Sequence, residues 1–172
     1  TYDGSAPSVV ISGVPATSNA PFTATFTFSE AVTTATSTLS LDSGGTASYQ
    51  SGSGTTAVTY RYTVAGGHNS TDLDVTTFNV NDAVDGISIA VDGTLPGGAN
   101  LADNKALVID TTAATITNIS SAKADATYTT AEVIDIVVTF SEAVTTATST
   151  LSLDSGGSAA YQSGTGTTAV TY

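Results

Sequence analysis

The stretch from Phe28 to Tyr60 returns almost unchanged as Phe140 to Tyr172, at an offset of 112 residues. Only three of the 33 paired positions differ: Thr46/Ser158, Ser48/Ala160 and Ser53/Thr165. A repeat this close means tandem copies of one supersecondary unit, so a fold suited to one copy must suit the other. The offset matches the size of one β-sandwich domain. Upstream the match is looser. Asp3-Gly4-Ser5-Ala6-Pro7 corresponds to Asp110-Thr111-Thr112-Ala113-Ala114, and the second copy gains five residues, assigned to a hairpin loop at 120–130. The first repeat therefore spans 1–109, and 110–172 is the N-terminal half of a second.

Within the copies the dominant period is two. Phe22, Ala24, Phe26 and Phe28 alternate with Thr23, Thr25 and Thr27, and Val58, Tyr60, Tyr62 and Val64 alternate with Thr59, Arg61 and Thr63. Successive strand side chains point to opposite faces, so this alternation marks strands with one buried face. Ile134, Ile136, Val138 and Phe140 form the equivalent face in the second copy. Further strands are expected at 8–12, 37–42, 46–50, 75–80, 87–91 and 105–109, separated by Ser-Gly and Asp-Gly turns. No segment carries a helical stripe. The expected fold is all-β: tandem immunoglobulin-like antiparallel β-sandwiches with about seven strands per repeat. Phe22, Phe26, Phe28, Val58, Tyr60, Tyr62 and Val64 should form the first core. Tyr172 is the counterpart of Tyr60, which lies inside a strand of the first copy, and the chain has no Met. The chain is thus expected to be a window on a longer protein, with 110–172 unable to fold alone. The strands it needs would come from continuation of the polypeptide or from a neighbouring chain.

The charge balance narrows the function. Fifteen acidic residues stand against three basic ones, for a net charge of −12. Arg61, Lys105 and Lys123 are scattered, so no basic patch exists for nucleic acid or an anionic membrane surface. No apolar run has the length of a membrane-spanning helix. The absence of Cys removes thiol chemistry and Cys-ligated zinc. His68 is the only histidine, and no motif sets it beside a nucleophile, so no catalytic residues are assigned and the chain is read as no enzyme. Gly44-Gly45, Gly66-Gly67 and Gly97-Gly98 read as turns, since none leads into a phosphate-loop Lys-Ser/Thr. Asn69-Ser70-Thr71 and Asn118-Ile119-Ser120 match glycosylation acceptors, a common match in a chain so rich in Ser and Thr.

The order and spacing of several short motifs carry a family resemblance. The Asp3-Gly4-Ser5-Ala6-Pro7 start, Phe28-Ser29-Glu30-Ala31-Val32, Ser70-Thr71-Asp72-Leu73-Asp74 and Lys105-Ala106-Leu107-Val108-Ile109-Asp110 together resemble bacterial immunoglobulin-like repeats of giant surface adhesins and biofilm proteins. That resemblance implies an extended chain of sandwiches that spaces an adhesive tip from the cell, with Ca²⁺ stiffening the junctions.

Twelve of the acids are Asp, a residue suited to turns and to hard cations. Asp72 and Asp74 stand two apart, so in an extended segment both carboxylates share a face, and a divalent cation would relieve their repulsion. The alternative is a polar loop with two solvated acids. If the strands run up and down in order, Asp72 and Asp74 meet Asp110 at the junction, and Glu142 descends to the same junction. These four would share one ion, with Asp3 and Glu30 serving the preceding junction. The plain alternative for Glu30 and Glu142 is a surface acid at a strand end.

The expected function is a non-catalytic spacer of an extracellular or cell-surface adhesin or fibre. Its partners would be adjacent repeats and neighbouring copies, with a host or glycan ligand unassigned. A carbohydrate-binding accessory module is the alternative. It needs exposed aromatic platforms, and the chain has no Trp, leaving residues such as Tyr128.

Overall fold

A computed structural model describes residues 9–12 and 22–172, and for Val9–Ser12 and Phe22 the backbone alone. The chain divides into two compact units, Thr1–Thr112 and Ala113–Tyr172. Both are built from antiparallel strands, as the period-two alternation predicts.

In the first unit, β1 (Val9–Ser12), β2 (Phe22–Val32), β3 (Thr38–Leu41), β4 (Thr46–Ser51), β5 (Thr55–Tyr62) and β6 (Val75–Asn79) form one sheet. Its order is β1-β2-β5-β4-β3-β6. The register follows the alternation. Ala24, Phe26 and Phe28 are buried, whereas Thr23 and Thr25 are half-buried and Thr27 is exposed. Val58, Tyr60 and Tyr62 are buried beside them, and Val64 packs half-buried at the edge of the core. Phe22, the remaining expected core residue, lies outside the described side chains.

The sheet is strongly curled. β2 and β6 are four strand positions apart, about 19 Å in a flat sheet at ~4.8 Å per step. Yet the ring of Phe78 in β6 lies 5.8 Å from Phe26 in β2 and 6.1 Å from Tyr60 in β5. The sheet therefore folds its apolar face inward around these rings. Full burial of each such side chain contributes about 1.5–3 kcal/mol.

Two expected strands are absent. At 87–91 and 105–109 only the isolated bridges Val84↔Ala90 and Ser70↔Ile109 form. Ile87, Ile89 and Val91 fall at every second position of the expected strand 87–91, but Ile87 and Ile89 are exposed and only Val91 is buried. The carboxylate of buried Asp85 accepts the N–H groups of Ile87 and Ile89, at 2.9 and 2.8 Å, which withdraws both from any ladder. Near 105–109, Leu107 N–H turns to the Asp72 carboxylate, while Leu107 O still accepts from Leu73 N–H at 2.7 Å. One element was not expected, the four-residue helix α1 (Leu101–Asn104). Asn100 caps it, and the Asp103 carboxylate reaches back to Asn100 N–H in a capping box.

In the second unit, β7 (Ile116–Ser120), β8 (Val137–Val144) and β11 (Thr167–Thr171) form a sheet of order β11-β8-β7. β9 (Thr150–Ser152) and β10 (Ser158–Ala160) form a separate hairpin. The buried core is small: Val138, Val170 and Tyr172. The expected apolar face is only partly open. Ile134 is exposed, Ile136 and Phe140 are half-buried, and Val138 is buried against Val170 and Tyr172. The 121–136 connection holds Lys123 3.6 Å from Glu132. Residues 13–21 of the first copy, against which the five extra residues of the second copy are counted, lie outside the described residues.

Candidate functional site

The acidic loop residues are the candidate ligands. Asp42 stands at the end of β3, and its two oxygens accept Asp74 N–H at 3.0 Å and Ser70 Oγ–H at 2.8 Å. Asp74 accepts Val75 N–H at 2.9 Å and Ala102 N–H at 3.1 Å, tying β6 to α1. Asp72 points to Leu107 N–H at 3.4 Å. The i, i+2 pair is thus divided between different backbone partners. Asp110 closes a local turn by accepting Thr112 N–H at 2.8 Å. Glu30 is half-buried inside β2, which runs on to Val32, so it does not end a strand. Glu142 is likewise half-buried inside β8, in the other unit. Asp3 lies outside the described residues. Among the described residues, no three Asp, Glu, His or Cys side chains form a group that could hold a metal ion.

What these carboxylates do is uniform. Asp42, Asp72, Asp74, Asp82, Asp85, Asp92, Asp103 and Asp110 each accept at least one backbone N–H. A loop N–H outside a ladder needs an acceptor, and an ionised carboxylate is a strong one.

The most developed polar arrangement was not expected from the sequence. Tyr60, wholly buried, places its hydroxyl 2.8 Å from Ser37 Oγ. Ser37 Oγ lies 2.7 Å from Thr34 Oγ1, which donates at 2.7 Å to the Asp82 carboxylate. The same carboxylate accepts Ala35 N–H at 2.8 Å and Thr36 N–H at 3.0 Å. A chain of hydroxyls thus runs from the core to an exposed acid. Burial pushes the Tyr60 phenol up to about 12. The Thr34 hydroxyl, then the backbone N–H groups of Thr36 and Ala35, hold the Asp82 carboxyl well below the usual carboxylate range. Thr34, Ser37 and Tyr60 were visible as residues. Asp82, 48 positions from Thr34, had no local signal to join it to them.

The second unit repeats the hydroxyl chain. Tyr172 OH lies 2.8 Å from Ser149 Oγ, and Thr146 Oγ1 lies 2.7 Å from the same oxygen. Among the described residues, no carboxylate meets Thr146, Ala147 or Thr148.

His68 stacks on Tyr62 with ring centroids 5.6 Å apart and an interplanar angle of 18°. Its Nδ1 accepts Ala65 N–H at 3.2 Å and lies 2.8 Å from the Tyr62 hydroxyl. An N–H can only donate, so Nδ1 is the unprotonated nitrogen. A Cβ at Gly45 would run into both rings, which explains a glycine at that position. Asn69, a glycosylation match, uses its amide oxygen to accept Thr111 N–H at 2.8 Å. Tyr128 is half-buried, donates to Ala124 O at 2.7 Å, and has Lys123 Nζ 5.3 Å over its ring. Among the described residues, no helix is long and apolar enough to cross a membrane.

No family model, curated protein or solved structure matches the chain.

Proposed function

We propose that the chain is a non-catalytic structural spacer from a repetitive cell-surface adhesin or extracellular fibre, and that its two units are tandem immunoglobulin-like repeats. The observation that carries this reading is the repetition itself. The 33-residue stretch, identical at all but three positions, builds the same Tyr–Ser–Thr hydroxyl chain in both units, at 2.8 and 2.7 Å each time. Chains of this kind serve by length and stacking, with one unit design used again and again. Strand order supports the immunoglobulin-like part. The run β1-β2-β5-β4 followed by β3-β6 is similar to the ABED and CF orders of that sandwich, here joined in one sheet along the hairpin between β3 and β4. The acids act as loop fasteners, and the net charge of −12 suits an exposed, self-repelling surface.

The direct test is antibody labelling of intact, unpermeabilised cells that make the protein. Surface label extending from the envelope is expected. Label only after permeabilisation contradicts the reading, and saturable glycan binding lost on Tyr128→Ala would favour the carbohydrate module. Calcium at the junctions belongs to the same proposal and rests on the Asp excess. Added calcium should raise the melting temperature, since binding at 100-fold saturation adds about 2.7 kcal/mol to the stability of the folded chain. Asp72→Asn or Asp74→Asn should reduce that gain. Identical melting with calcium and with chelator removes calcium from the account.

A further inference from the structure

The two copies offer a comparison made by the molecule itself. Leu39, Leu41, Ala47 and Tyr60 belong to the core of the first unit. Their counterparts are Leu151, Leu153, Ala159 and Tyr172. Leu41 is 6% exposed, whereas Leu153 is 36% exposed. Leu153, Ala159 and Tyr172 line an open cleft of about 540 Å³ in the second unit together with Ile134 and Ile136, the counterparts of Phe22 and Ala24.

What covers this face in the first unit is known. β6 pairs antiparallel with β3, setting Phe78 opposite Leu39 and Val75 opposite Leu41. Four residues past Phe78, Asp82 caps the loop of Thr34, Ala35 and Thr36. In the second unit, β9 is the counterpart of β3 and pairs only with β10 among the described residues. Its outer edge and the loop Thr146–Ala147–Thr148 repeat the two features that β6 and Asp82 satisfy, while the cleft corresponds to the place that Arg61 and Tyr62 fill between β2 and β4 in the first unit.

We propose that the open face of the second unit is a receptor for an antiparallel strand with the chemistry of residues 75–82, taken from a further repeat of this kind. The incoming strand adds to the outer edge of β9. It places an aromatic side chain against Leu151 and Tyr172. A carboxylate four residues later accepts the N–H groups of Ala147 and Thr148 and the Thr146 hydroxyl. Strand addition gives affinity through the main chain and specificity through these two side chains. The proposal rests on reading the two units as copies of one repeat, and it is independent of adhesion and calcium.

The test adds a peptide of residues 61–109 to the full 172-residue protein and follows binding by titration and by amide exchange. A one-to-one complex is expected, with new protection in 138–172. Asp82→Asn in the peptide should weaken binding about tenfold, the loss expected for a charge-assisted pair of N–H bonds. Phe78→Ala should weaken it about a hundredfold. The same segment joined directly after Tyr172 should give that protection without added peptide, which keeps the idea testable if the free peptide is poorly soluble. Protection confined to 23–62, equal binding of all three peptides, or no gain in either format overturns the proposal. A dimer of the 172-residue chain that excludes the peptide also overturns it, in favour of exchange between copies. Surface labelling can fail without touching these results, and these can fail while labelling succeeds.

Discussion

At the residue scale, the fold depends on a few polar side chains set between the core and the loops. Asp82 is exposed, yet it accepts three hydrogen bonds that close the loop after β2. Asp82→Asn keeps the shape but turns an amide donor toward donors. The variant should lose about 1 kcal/mol in denaturant unfolding, a typical cost for one broken charge-assisted contact at a solvated site. The pH dependence follows from the lowered carboxyl pKa. A depressed folded-state value gives stability that is present above the ordinary carboxyl pKa of about 4 and is lost as pH falls below it. The gap between wild type and Asp82→Asn should therefore be constant near neutrality and shrink below about pH 4. A gap that persists to the lowest pH would show that the charge contributes nothing. Tyr60 behaves in the opposite direction. Its phenol is raised by burial to about 12, so the folded chain keeps a proton that the unfolded chain releases near pH 10. Its stability contribution is whole below about pH 10 and disappears as pH climbs toward 12, a loss on the order of 3 kcal/mol. Tyr60→Phe should flatten that alkaline decline, measured by unfolding between pH 9 and about pH 12.

At the scale of elements, the legible part was the alternation. Phe26, Phe28, Val58, Tyr60 and Tyr62 were readable as core because apolar side chains at every second position have only one way to be buried together. The Ile87, Ile89, Val91 pattern obeyed the same rule and misled, because buried Asp85 captures two of the N–H groups a ladder would need. Periodicity reports faces and says nothing about where backbone hydrogen bonds go. α1 carried a signal in Asn100 and Asp103, but a single turn has no stripe to reveal it. The candidate site was legible as residue types and not as partnerships, since Asp42 with Asp74 and Asp82 with Thr34 join segments far apart in sequence. The turn between β4 and β5 shows local chemistry that does read through. Gly52 has φ +97° and a Cβ there would collide with Ala57 O, whereas Gly54 has φ +80° and open space around it. Gly54→Ala should cost about 1 kcal/mol for the left-handed backbone alone. Gly52→Ala should cost at least about 2 kcal/mol, because backbone must also shift. Equal losses in the two variants would mean that the turn relaxes freely. Gly164 repeats this crowding against Ala169 O in the second unit.

For the whole molecule, the account holds that one sequence forms the same hairpin turn and hydroxyl chain twice and that stability is decided by what covers them. The covering segment of the first unit carries Leu73, Val75, Phe78, Val91 and Leu101, all buried. In the second unit the matching hairpin keeps its turn but stands as a separate two-stranded sheet with less cover. One pair isolates that difference. Leu41 N–H donates to Gly45 O at 2.9 Å, and Leu153 N–H donates to Gly157 O at 2.9 Å. The hydrogen bond is identical and the burial is not. Amide exchange resolved at Leu39 and Leu41 against Leu151 and Leu153, in the same sample of the 172-residue chain, compares matched positions of the two hairpins that differ in cover. The account predicts exchange at least about tenfold slower in the first unit, from the ~1.5–3 kcal/mol that burial of a leucine contributes to local opening. Equal protection at the paired positions would contradict it.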